Sequence, residues 1–102
     1  MQPHNNSHQE RTVARFALGQ TLITPGAAEA LQISRQIAVE FLRRHTSDDW
    51  GELPDDDRKE NELSLERGFR LLSRYETTKG ERLWIITEAD RSATTILLPV
   101  EY

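Results

Sequence analysis

Three stretches of the sequence gather ionisable side chains densely enough to do chemistry. The run Thr87-Glu88-Ala89-Asp90-Arg91-Ser92 sets two carboxylates and a guanidinium between two apolar segments. In an active site, Glu88 or Asp90 would act as general acid or base and Arg91 would hold an anion. The run His45-Thr46-Ser47-Asp48-Asp49 offers an imidazole beside two aspartates, a grouping suited to metal binding or to a base and its orienting partner. Residues 48–66 carry nine acids (Asp48, Asp49, Glu52, Asp55, Asp56, Asp57, Glu60, Glu62 and Glu66) against Arg58 and Lys59. Such a segment could dock on a basic partner through electrostatic complementarity.

Each of these has a plainer account in the elements that must carry it. Residues 88–93 join two strong strand patterns, so a turn is required there whatever the function. Asp90 can bond its own backbone two residues on, Ser92 can do the same more weakly, and Glu88 could pair with Arg91 across the corner. No histidine or nucleophile lies nearby in sequence, so Glu88, Asp90 and Arg91 are assigned to a turn cluster and no catalytic residue is named. His45 reads as the end of a helix, with Asp48 and Asp49 solvating the loop after it. His4 and His8 stand four apart, but Pro3 and Asn5-Asn6-Ser7 argue against the helix that would make them a metal pair. The candidate binding surface is therefore the acidic one, through Asp48, Asp49, Asp55, Asp56, Asp57 and Glu60.

Residues 12–24, TVARFALGQTLIT, alternate as a strand or a strand interrupted at Gly19. Thr24 is placed to cap a helix that starts at Pro25, where the missing N–H needs no partner. Ala27, Ala30, Leu31, Ile37, Ala38, Phe41 and Leu42 recur at helical spacing, and Arg43, Arg44 and His45 suit the carbonyl end, which predicts a helix over 25–45. Gly51 and Pro54 mark a connection, with Trp50 and Leu53 folding back onto the core. A second helix is predicted with Asp55 as its cap, Asp56 and Asp57 in its first turn and a stop at Gly68; its thin stripe of Leu63 and Leu65 places it on the surface. FRLLSRYE, RLWIITE and ATTILLP then read as a three-stranded meander, with TTKG (77–80) as its first turn and Pro99 closing the last strand.

At 102 residues with 36% apolar and 29% charged side chains, the chain is long enough for one hydrophobic core. The expected division is a disordered arm at 1–11 and a single α+β domain over 12–102. The expected fold is α+β: a three- to four-stranded antiparallel sheet, the C-terminal meander plus the N-terminal strand, with two helices, the longer packed on one face. Leu31, Ile37, Phe41, Leu42, Phe69, Leu71, Trp84, Ile86, Ile96 and Leu98 are the expected core.

The formal charge of −4 lacks the basic footprint of a nucleic-acid binder, and aromatic residues do not alternate with a basic stripe. With no cysteine there is no disulfide framework and no thiolate metal site. Phosphate-cradling loops, dinucleotide fingerprints, HExxH and GxSxG are all missing from the sequence. No cofactor and no metal are expected. The sequence has neither a membrane-length apolar run nor the layout of a signal peptide, so a cytoplasmic location is expected.

The runs LITPGAAEAL, HTSDDWGEL, NELSLERGFRLLSRY and LWIITEADRSATTILLPVEY resemble a group of small bacterial proteins carried on plasmids and integrated elements, labelled plasmid-related proteins. The resemblance spans about residues 16–102, and its C-terminal block is distinctive. It implies a bacterial, mobile-element setting and transfers no activity, cofactor or site residue. Some members bear the label of a restriction-modification subunit, which this chain, too short for a methyltransferase domain and without a cofactor motif, does not fit.

These readings favour a non-enzymatic interaction or regulatory module of a mobile element, an accessory or anti-defence protein that binds a protein partner through its acidic surface. One alternative is a small RNA-cleaving nuclease, since a helix–helix–sheet layout of this size is similar to ribosome-dependent mRNA-cleaving toxins, although those are usually basic. The other is a structural or regulatory homodimer joined at an exposed sheet edge.

Overall fold

A computed structural model describes residues 14–102. The arm expected at 1–11, with His4 and His8, and the Thr12–Val13 start of the expected first strand lie outside the described residues. The chain runs β1 (Gln20–Ile23), α1 (Pro25–Ser34), α2 (Ala38–Thr46), α3 (Asp55–Arg67), β2 (Leu71–Glu76), β3 (Arg82–Thr87) and β4 (Ala93–Leu97), then a 3₁₀ turn over Pro99–Glu101. The architecture is α+β, one sheet with helices.

The C-terminal meander forms as the alternation predicts. β2 pairs antiparallel with β3 from Leu71↔Thr87 to Glu76↔Arg82, and β3 pairs antiparallel with β4 from Trp84↔Leu97 to Thr87↔Thr94. β1 differs from expectation: it joins β4 in parallel, Gln20↔Ala93 to Ile23↔Ile96, so the sheet is mixed with order β1-β4-β3-β2. The helices carry the chain from β1 at one edge to β2 at the other in the same direction, and the two reversals of the meander then bring β4 beside β1 and parallel to it. β1 is also shorter than the expected strand, because Gly19 takes a left-handed φ of 66° and residues 14–18 carry no strand.

The helix predicted over 25–45 is two helices, which brings the described total to three. Thr24 caps α1 as predicted, accepting from the Ala27 amide at 3.2 Å, with Pro25 opening the helix. Arg35 then turns left-handed (φ 60°) and Ile37 is extended before α2 begins. An unbroken helix over 25–45 would be about 30 Å long, against about 20 Å for a six-residue strand. The break lays Phe41 and His45 back across β2 and β3, and it leaves Ile37, expected in the core, 65% exposed.

α3 spans Asp55–Arg67 and stops where Gly68 turns left-handed (φ 75°). Its capping position is Pro54 rather than Asp55, which is already helical, so no side chain caps the first turn. Phe69, also expected in the core, is 51% exposed because it sits in the short link from α3 to β2.

One sheet face packs Leu83, Ile85, Ile96 and Tyr75 against Ala27, Ala30, Leu31, Phe41 and Leu42 of α1 and α2. A second cluster joins Trp50, Leu53 and Leu71 to Phe16, Leu65 and Leu72, so Trp50 and Leu53 do fold back as predicted. Of the expected core, Leu31, Phe41, Leu42, Leu71, Ile86 and Ile96 are buried, while Trp84 and Leu98 are half-buried. Tyr75, Leu83, Ile85 and Leu97 are buried as well.

The outer edge of β2 is sealed at Leu72 and Arg74. The Asn61 side chain, buried on α3, accepts from the Leu72 amide (3.2 Å) and donates to the Leu72 carbonyl (2.6 Å). Two residues on, Arg74 donates to the Trp50 carbonyl (3.0 Å) and accepts from the Glu52 amide (2.7 Å). Gly51 makes this approach feasible: a Cβ there would lie 1.9 Å from the Arg74 carbonyl oxygen. Replacing Asn61 with alanine strands both main-chain groups of Leu72. Urea unfolding should show a loss of about 2–3 kcal/mol, and a change below about 0.5 kcal/mol would mean that water replaces the amide without penalty.

Candidate functional site

Two of the three polar groupings in the sequence are absorbed by the fold. His45 leaves the last turn of α2 pointing into the sheet and is fully buried, wedged edge-on between Phe16 (centroids 5.1 Å apart) and Trp50 (5.8 Å). Its Nδ1 lies 2.6 Å from the Ser73 hydroxyl and its Nε2 lies 2.9 Å from that of Thr87. Thr87 in turn meets the Thr94 hydroxyl at 2.7 Å, and Thr94 donates to the Leu18 carbonyl at 2.7 Å. All three hydroxyl residues are fully buried.

The far end of this chain orders its protons. Thr94 commits its hydrogen to the Leu18 carbonyl, so Thr87 donates to Thr94, and Thr87 can then only accept from His45. The imidazole therefore carries its hydrogen on Nε2, and Ser73 donates to the bare Nδ1. Burial, with a smaller contribution from the Arg91 guanidinium, lowers the His45 pKa to about 3, which keeps the ring neutral. A serine donating to a histidine nitrogen has the form of a nucleophile and its base. Here every partner is enclosed and every hydrogen is committed, so the arrangement braces α2 against β2, β3 and β4. The signal in the sequence was hydroxyl residues at the core-facing positions of strands, Ser73 between Leu71 and Tyr75 and Thr94 before Ile96.

The Glu88–Ser92 cluster is the β3–β4 turn. Asp90 accepts from the Ser92 amide at 3.0 Å, and the Ser92 hydroxyl and amide hold its carboxyl below the usual range. Arg91 turns left-handed (φ 62°) and does not pair with the Glu88 carboxylate. Its guanidinium donates instead to the main-chain carbonyls of Glu88 (3.1 Å), Ala89 (3.0 Å), Phe69 (2.7 Å) and Ser64 (3.2 Å), tying the turn to the end of α3. Glu88 and Asp90 point outward, apart from His45.

Asp48 and Asp49 part from the acids that follow them. Asp48 pairs with Arg15, and Asp49 with Arg44 (2.7 Å), whose hydrogen bond lowers the Asp49 pKa. Asp48 holds a left-handed φ of 71°, and its Oδ1 lacks a partner among the described residues. Those two contacts are the ion pairs among the described residues, so the α3 carboxylates enter none. Arg58 directs its guanidinium at the Leu53 (3.0 Å) and Gly51 (2.7 Å) carbonyls, and Glu62 accepts from the Trp50 ring N–H at 3.3 Å.

What remains free for a partner is the outer surface of α3. Asp55, Asp56, Glu60 and Glu66 are exposed and Asp57 is half-buried. An open groove of about 370 Å³ runs between α3 and β2, lined by Asp57, Glu60 and Arg70 together with the apolar Leu53, Phe69 and Leu72. Across the helix, a wider hollow of about 520 Å³ is lined by Arg15, Lys59, Glu62, Leu63, Leu65 and Glu66. No cluster of three or more potential metal-ligating side chains forms among the described residues, and no described helix is long and apolar enough to cross a membrane.

No family model, curated protein or solved structure matches the chain.

Proposed function

We propose that this chain is a non-enzymatic interaction module that docks a basic segment of a partner protein along α3. One observation carries this reading: an acidic rim, free of ion pairs among the described residues, borders a groove of mixed polar and apolar lining with an exposed phenylalanine. Lysine and arginine side chains suit such a groove, because their stems cover apolar surface while their heads meet carboxylates. The buried state of His45 and the structural use of Arg91 support a binding role over a catalytic one. An accessory role on a mobile element rests on the sequence resemblance.

Affinity capture from a bacterial lysate tests the proposal, with the parent chain and a variant carrying Asp55→Asn, Asp56→Asn, Asp57→Asn and Glu60→Gln. The parent should recover a partner at low salt, and the variant should recover about tenfold less, as expected when several charge-assisted contacts vanish. Raising the salt should weaken recovery by the parent, since exposed charges are screened. Equal recovery by parent and variant would exclude the acidic rim as the docking surface.

A further inference from the structure

The two edges of the sheet are treated in opposite ways. On β2, the outward main-chain groups of Leu72 and Arg74 are all taken, by Asn61, Trp50 and Glu52. On β1, all four residues are exposed, and no described residue bonds the outer side. The Gln20 amide donates inward to the Ser92 carbonyl (2.9 Å) and the Thr24 amide inward to the Ile96 carbonyl (3.0 Å). By the alternation of a strand, Leu22 also bonds inward to β4, while Thr21 and Ile23 aim their N–H and C=O groups outward. β1 contains no charge and no proline, two of the devices by which edges repel pairing, and its protection is limited to its short length of four residues.

We infer that β1 is a self-complementary interface, and that its occupant is the β1 strand of a second copy of this chain. In an antiparallel pairing with Leu22 opposite Leu22 of the second copy, Thr21 of each copy faces Ile23 of the other. Both facing pairs are then of the hydrogen-bonded type, and four new main-chain bonds use every outward group of the strand. Shifting the register loses bonds: matching Thr21 to Thr21 sets Ile23 against Gly19, which is left-handed, and matching Ile23 to Ile23 sets Thr21 against Pro25, which has no N–H. The favoured register places the two Leu22 side chains, each 43% exposed in the single chain, together on the twofold axis.

The sheet then continues across the axis. The row Leu72–Ile86–Thr95–Leu22 runs across one protomer and meets its mirror row in the other. Ile23, 42% exposed, packs beside the partner's Thr21 on the opposite face. Since the twofold pairing uses up the β1 edge and the middle of the β2 edge is covered at Leu72 and Arg74, the assembly closes at two chains and does not grow into a filament. Four residues a side fall short of the 20–30 of a standard interface, so the dimer belongs to the weak, transient class.

Sedimentation equilibrium of the full chain, from about 5 μM to about 1 mM, reads this directly. The parent should pass from monomer to dimer, with no larger species. Leu22→Lys and Leu22→Glu should each raise the Kd at least tenfold, because each sets like charges on the axis, while circular dichroism stays unchanged. An equimolar mixture of the two variants should dimerise again, which only an interface with Leu22 on its axis accounts for. Thr21→Pro removes an outward N–H that β4 does not use and should also yield a monomer. A parent chain that stays monomeric over the whole range overturns the inference, as does a parent dimer that Leu22→Lys leaves intact. Neither result bears on the α3 groove, which lies beyond the opposite edge of the sheet.

Discussion

Replacing His45 with alanine is expected to lower the folding free energy by about 3–5 kcal/mol. Two effects add. The imidazole fills the space between Phe16, Trp50 and the sheet, so its removal opens a cavity among side chains that cannot close it. It also leaves the Ser73 hydroxyl without its acceptor and Thr87 without its donor, both fully buried. Small domains are stable by about 5–15 kcal/mol, so the variant should sit near the limit of folding at 25 °C. Urea unfolding followed by tryptophan fluorescence measures the loss through the shift in midpoint. His45→Phe restores the volume but not the hydrogen bonds, and should recover only part of it. If His45→Phe proves as stable as the parent, packing alone holds this region and the hydroxyl chain contributes nothing.

The second large effect is a loss of stability in mild acid. In the unfolded chain an imidazole takes up its proton below about pH 6.5. In the folded chain His45 stays neutral down to about pH 3. Between those values the unfolded state binds one proton more than the folded state, so stability falls as the pH falls, by about 1.4 kcal/mol per unit. The contribution is complete from about one unit above pH 6.5 and constant beyond it, and its loss ends near pH 3. Asp49, Asp90 and Glu101 have lowered pKa values and act in the same direction, but only on entering the carboxylate range. Urea titrations at pH 7.5 and 4.5 should therefore differ by about 2.7 kcal/mol, and His45→Phe should abolish most of that difference. In NMR spectra the His45 ring should hold the shifts of a neutral, Nε2-protonated imidazole throughout this range. A ring that titrates near pH 6.5 in the folded protein would refute both the proton order and the acid sensitivity.

The two binding proposals rest on different surfaces. The groove beside α3 combines carboxylates with apolar lining, whereas the β1 edge offers main-chain groups and two aliphatic side chains. A weak dimer would present two grooves at opposite ends of one sheet. A partner with two basic segments could then bind more tightly than one with a single segment, provided that its linker spans the gap.

What could be read from the sequence alone were the features that depend on residues a few positions apart. Thr24 and Pro25 open a helix, Gly68 stops one, Asp90 bonds its own turn at Ser92, and the alternation from Leu71 to Leu97 makes three adjacent strands. The negative charge on the surface of α3 was equally legible, since Asp55, Asp56, Asp57 and Glu60 fall in one polar run. Only the tertiary structure decided the rest, because each outcome turns on partners far along the chain. β1 runs parallel to β4 because the helices carry the chain from one sheet edge to the other and the meander then folds back across the sheet, and the expected 25–45 helix breaks because its unbroken length would overrun the sheet. His45 belongs with Ser73 and Thr87, 28 and 42 residues away, rather than with Asp48 and Asp49. Asp48 and Asp49 are drawn instead to Arg15 and Arg44, and Asn61 closes an edge eleven residues on. Local propensity acts over a turn or a strand, but a buried hydrogen bond is set by whatever the fold brings within 3 Å.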